Sequence, residues 1–153
     1  MLVTLQELDL KNPQPVAGGK AIGYGCKFQS ELGAGTAFFV PSSSRASLEE
    51  LLAQSIYVEV EAEAFQGFQL ISEPDNLSPQ LIPLDNPGDF TAVGIVRSIV
   101  WLDDAYEDSV LEVQVGTGLF SITSTHEIGS RDLDYGQWVT FHIRGLSLWE
   151  IDL

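Results

Sequence analysis

The sequence predicts a mainly β protein, an antiparallel barrel- or sandwich-like sheet with one short helix. Three observations carry that expectation. Tyr57-Val-Glu-Val-Glu-Ala-Glu-Ala64 alternates apolar and polar residues without a break, the period of a strand with one buried and one wet face. Gly116-Thr-Gly118 joins two β-rich runs as a tight hairpin connection does. Four of the seven prolines, Pro74, Pro79, Pro83 and Pro87, fall between Ser72 and Gly88. There they remove amide donors and fix φ, which forbids a helix or a central strand.

Element by element, Lys20–Ser30 and Gly35–Val40 read as glycine-bearing strands. Ser47-Leu-Glu-Glu50 has the form of a capping box and predicts a helix over Ser47–Gln54. Leu48, Leu51, Leu52 and Ile56 would supply its apolar stripe. In the alternating strand, Val58, Val60, Ala62 and Ala64 face inward, and Tyr57, Glu59, Glu61 and Glu63 face outward. Beyond the prolines, strands are expected at Phe90–Leu102, Val110–Val115, Leu119–Thr125 and Gln137–Ile151. In the last, Val139, Phe141 and Ile143 form the apolar row, and Trp138, Thr140, His142 and Arg144 the other. Trp101, in line with Val93, Ile95 and Ile99, and Trp149 are expected in the core.

The C-terminal half (long strand, hairpin, connection, final strand ending Arg144-Gly-Leu) is loosely similar to a small OB-type barrel. At 153 residues the chain fits one compact domain, 1–153. Its sub-lobes are 1–71, ββαβ-like, and 89–153, an antiparallel meander, joined by the proline-rich 72–88. A chain of this length buries roughly 68–70% of its unfolded surface, so no metal or disulfide staple is required.

Charge is laid out unevenly. The chain carries 22 Asp and Glu against 7 Lys and Arg, a formal charge of −15. Residues 1–48 sum to +1, while residues 49–153 hold 19 acids and only Arg97, Arg131 and Arg144. Such a field repels nucleic acid and anionic membranes, both of which need Lys and Arg to neutralise phosphate. It attracts a basic protein partner instead. The first ten residues lack the basic and long apolar regions of a signal peptide, and no apolar run reaches membrane-spanning length, so a cytoplasmic protein is expected.

Candidate chemistry is sparse. Gly18-Gly-Lys20 lacks the first glycine and the Ser or Thr of a phosphate loop, and Gly23-Tyr-Gly25 lacks the third glycine of a dinucleotide fingerprint. Cys26 with His126 or His142 would be a thiol catalyst only if the fold paired them; alone, such a Cys is a small core residue. No zinc-ligand spacing occurs, and no cofactor is expected. Glu59, Glu61 and Glu63 lie about 7 Å apart along one strand face, too far for a catalytic pair unless a neighbour such as Glu112 intervenes. Asp103, Asp104, Glu107 and Asp108 cluster between two strands, either as a solvated tip or as a cation loop lacking the usual oxygen ladder.

Trp138, on a nominally wet face with His142 and Arg144, is either covered by the proline-rich segment or an interaction anchor. The leading functional expectation is a non-catalytic acidic module, of inhibitor, immunity or adaptor type, acting on a basic protein. Its surface would be drawn from Asp103, Asp104, Glu107, Asp108, Glu59, Glu61, Glu63, Trp138, His142 and Arg144. The alternatives are a small β-barrel enzyme or ligand-binding module that uses surface carboxylates, and a structural or assembly subunit pairing through a strand edge.

Overall fold

The computed structural model describes residues 1–43, 45–73, 78–102, 108–116, 118–125 and 134–152, with the backbone alone at 108, 109 and 123–125. Strands take up 64% of the described residues and helical turns 5%, so the β expectation holds. Before the proline-rich stretch lie β1 (Leu2–Leu8), β2 (Gln14–Val16), β3 (Ala21–Ser30), β4 (Gly33–Val40), β5 (Ser55–Glu61) and β6 (Ala64–Ile71). Within it runs β7 (Gln80–Pro83). After it come β8 (Phe90–Trp101), β9 (Asp108–Val115), β10 (Gly118–Thr125), β11 (Trp138–Arg144) and β12 (Ser147–Glu150).

Five strands close into a barrel in the order β1-β5-β12-β4-β3, with β3 returning to β1. Every pairing is antiparallel except β12 with β4, which is parallel. Numbered in chain order, the ring runs 1-2-3-5-4-1, the connectivity of an OB-type Greek-key barrel. The OB-type pattern expected of the C-terminal half thus lies elsewhere: four of the ring's strands are N-terminal, and the last strand of the chain completes it, because β12 pairs with β4 and β5. The second sheet is ordered β10-β9-β8-β11-β6, with β7 beside β8. In it β8, β9 and β10 run as an antiparallel meander, but β11 returns to pair with β8 in a Greek-key order, and β12 leaves for the barrel, so residues 89–153 are not one simple meander.

The two sheets are joined twice. The chain leaves the barrel from β5 into β6 and returns from β11 into β12. The two crossings lie side by side, held by a bond from Glu63 N to Arg144 O of 2.9 Å. A continuous core of Leu5, Phe28, Phe39, Phe90, Phe141 and Leu148 fills both sheets. Phe28 of the barrel meets Phe90 of the second sheet at 5.9 Å between ring centroids.

Four further expectations are corrected. The helix over Ser47–Gln54 is a single 3-10 turn, Glu49–Leu51, and no side chain caps it. Leu52 is extended and bridges Leu5, while Ala53 N bonds Leu5 O at 2.9 Å. Strand pairing with β1 therefore captures the chain before a second turn can form. The alternating run ends at Glu61: Ala62 and Glu63 turn, and Ala64 opens β6, a strand that the sequence reading missed.

On β8 the inward row is Phe90, Ala92 and Val96, and a bulge between Val96 and Ser98 then returns Ile99 to the core side. Val93 and Ile95 lie on the other face, Val93 still buried but Ile95 and Trp101 only half-buried. On the last run, Val139, Phe141 and Ile143 are buried as predicted. Gly145 at φ +65° breaks the strand there, so Leu146 and Leu148 enter the core and Trp149 is half-buried.

Among the described residues no helix is long and apolar enough to cross a membrane.

Candidate functional site

The outward row of β5 meets the second sheet along a cleft of about 600 Å³. Glu59 and Glu61 line one wall, Leu119 and Ser121 of β10 the other, and Phe65 of β6 is reached between them. Alternation on β5 sets the acidic wall: Ile56 and Val58 are buried in the barrel, so Glu59 and Glu61 must project outward. The sequence predicted that row, and the structure gives it a partner surface.

The cleft is acidic and partly apolar. Among the described residues the salt bridges are Lys27–Glu7 and Arg45–Glu150, so neither Glu59 nor Glu61 is matched by a Lys or Arg. The Met1 ammonium, at the cleft, donates to Val58 O at 2.8 Å. Burial pulls its pKa below the ordinary value, against the raising fields of Glu59 and Glu31. Cross-strand neighbours of the two glutamates are Trp149 for Glu59 and Ser147 for Glu61. The indole of Trp149 donates to Ser147 Oγ at 2.9 Å, which props the tryptophan on the barrel wall.

Phe65 shows how the cleft is made. It pairs with the buried Ile143, which puts it on the inward face of β6, and its ring stands edge-on to Phe120 and Phe141 at 6.0 Å each. Gly67 at φ +64° bulges β6, so Phe68 also turns inward and stacks on Phe141 at 5.0 Å. Leu70 pairs with buried Val139, yet is 49% exposed. Phe65 and Phe68 are only half-buried as well. Three inward residues are thus left open along one strand, because β6 and β10 end the sheet unpaired with each other.

The other predicted site residues do not join this cleft. Glu63 sits in the β5–β6 turn, its side chain against Gly145, where an added Cβ would fall 2.7 Å from its Cγ. Arg144 is exposed at the β11 end of that crossing. Trp138 lies at the far end of β11, roughly 20 Å along the strand. It is half-buried in a cross-strand row with Ile71 and Ile95. His142 is exposed on the same outer face and lies over Gly67. Asp103, Asp104 and Glu107 fall outside the described residues; Asp108 begins β9 opposite Thr125, and its side chain is likewise outside them.

Glu112 pairs with Ser98 and with Ser121 of the cleft wall, whereas β5 pairs with β1 and β12, so Glu112 is not a cross-strand neighbour of Glu59 or Glu61. A cross-strand carboxylate pair is therefore not formed there. Cys26 is buried in β3, where burial pushes its thiol up to about 12, against the lowering bond with the Ala37 backbone. Of its two partner candidates, His126 lies outside the described residues and His142 is on the outer face of the other sheet, so the fold does not build a thiolate–imidazole pair from Cys26 and His142. Among the described residues no three His, Cys, Asp or Glu converge as metal ligands.

The sequence reading missed Phe65, Phe68, Leu119 and Ser121. The signal for the first two was present in Ala64-Phe-Gln-Gly-Phe-Gln-Leu-Ile71, where the glycine breaks the period of 2 and hides the strand. Compared with models of protein families, with curated proteins and with solved structures, the chain matches none.

Proposed function

We propose that this protein is a non-catalytic acidic binding module, an inhibitor or adaptor, and that the cleft beside β5 receives a basic protein partner. One observation carries the reading: Glu59 and Glu61, without a Lys or Arg partner among the described residues, rim a cleft that also holds the apolar Phe65 and Leu119. Apolar contact would supply affinity, since it is proportional to the area taken from water. The carboxylates would set encounter rate and partner sign, as complementary charge does at interfaces. The net charge of −15 extends the same attraction over the surface.

The test is a titration of labelled basic, neutral and acidic peptides against the protein at low and high salt. Basic peptides should bind best, with affinity falling as salt rises. Glu59→Lys with Glu61→Lys should weaken that binding about tenfold, or ~1.4 kcal/mol, at an unchanged melting temperature. Equal binding of the acidic peptides, or indifference to the charge reversal, would overturn the reading.

A further inference from the structure

We infer that the occupant of this cleft binds as an added β-strand in the open seam between β6 and β10, as an extended basic segment of the partner. The inference rests on the reading of the cleft as a binding surface and names its mode. Both strands end the second sheet, and no described strand pairs with their outer edges. An unpaired edge presents a row of amide and carbonyl groups to any extended chain.

Natural edges are usually blunted by charge or proline. Neither edge here is: Ala64–Ile71 and Gly118–Thr125 contain no Asp, Glu, Lys, Arg or Pro. The glycine bulge at Gly67 is the one irregularity of β6, and its effect is to turn Phe68 toward the interior. Beneath the seam, Phe65, Phe68 and Leu70 face inward but are only partly covered, Phe65 and Phe68 half-buried and Leu70 exposed. Alternate residues of an added strand would close over them.

The remaining residues of that strand would point out toward β5. Side chains on one face of a strand recur about every 7 Å, the spacing of Glu59 and Glu61 themselves. Two basic residues at i and i+2 therefore match the two carboxylates. A second copy of this chain is a poor occupant, because it brings its own Glu59 and Glu61 and a charge of −15 to a surface of the same sign.

The experiment uses the whole chain and three synthetic peptides of equal length. One alternates lysine and valine, the second is the same peptide N-methylated at alternate amides on its hydrogen-bonding edge, and the third alternates threonine and valine. Binding is read by anisotropy, and amide hydrogen exchange is followed along β6 and β10. The lysine–valine peptide should bind, slow exchange on at least one of the two strands, and lose at least tenfold on N-methylation or with Glu59→Lys and Glu61→Lys. If the N-methylated peptide binds equally and exchange at both edges is unaltered, strand addition is overturned while the basic-partner reading stands. If no lysine peptide binds at any salt, both fall. Equal binding of the threonine peptide overturns the basic occupant, and protection that grows with protein concentration alone identifies a second copy and overturns the proposal.

Discussion

Phe65 stands edge-on to Phe141 at 6.0 Å, yet Phe141 is fully buried and Phe65 is not. Two rings in one aromatic cluster thus differ in what their removal costs. Phe141→Ala should destabilise by about 3–5 kcal/mol, the range for a buried aromatic that leaves a cavity. Phe65→Ala should cost less, because solvent already reaches the ring. Denaturant titration of both variants checks the order; equal losses would mean that the seam is closed in solution.

Arg45 and Glu150 lie 105 residues apart and pin the loop after β4 to β12, the strand that completes the barrel. Arg45 Nε donates to Glu150 Oε1 at 3.0 Å and Ser42 N to Oε2 at 3.0 Å. The Glu150 side chain is 6% exposed and that of Arg45 28%. Arg45→Ala would strip both guanidinium donors, Nε and Nη2, from a nearly buried carboxylate and should lower stability. Arg45→Met combined with Glu150→Gln should recover part of that loss in thermal melts.

The same pair predicts an acid limb. Burial opposes ionisation of Glu150, but the Arg45 and Ser42 bonds outweigh it and hold its carboxyl below the usual value. A depressed folded pKa stabilises the fold above the unfolded pKa, and that contribution is lost as pH falls through the folded one. Stability should therefore decline below about pH 4.3, the ordinary Glu pKa, and Glu150→Gln should flatten the decline. An unchanged acid limb in the variant would assign it to other carboxylates.

Cys26 predicts the opposite limb. Its thiol is raised to about 12 in the fold. A raised pKa contributes stability that is intact below the unfolded value and fades as pH rises through the folded one. Melting temperature should drop from about pH 8.5 upward, less steeply in Cys26→Ala once its own cavity cost is subtracted. At neutral pH the thiol should react with a disulfide reagent only as fast as the protein unfolds.

Gly145→Ala tests the second crossing. The residue has φ +65°, and an added Cβ would meet the Glu63 side chain at 2.7 Å. The left-handed conformation alone costs a non-glycine residue about 1–2 kcal/mol. Glu63→Ala in the same background should relieve only the contact, so the double variant should regain part of the loss. Full recovery in melts would place the whole effect in the clash.

Much of the fold is written in local pattern. Strict alternation sorts Val58 from Glu59, and Val139 and Phe141 from Thr140, because period-2 geometry needs no knowledge of what the strand packs on. Gly116-Thr-Gly118 likewise announces its hairpin. Pattern fails where one residue changes the parity of a strand. Gly67, Gly145 and the β8 bulge each do so, which is why β6 went unseen and why Trp149, Val93 and Ile95 were assigned to the wrong face. The capping box at Ser47 was a local signal too, and it lost to the tie between Ala53 and Leu5, a bond that sequence spacing does not express.

For the candidate site, the sequence by itself determined its charge and the outward direction of Glu59 and Glu61. Only the tertiary structure decided that these two face Leu119 and Phe65 while Glu63, Trp138, His142 and Arg144 lie elsewhere. The physical reason is that strand direction follows from local alternation, whereas strand order follows from which distant edges pair. Here β12 closes the barrel beside β4 and β5, and β6 and β10 are left as the open ends of the second sheet.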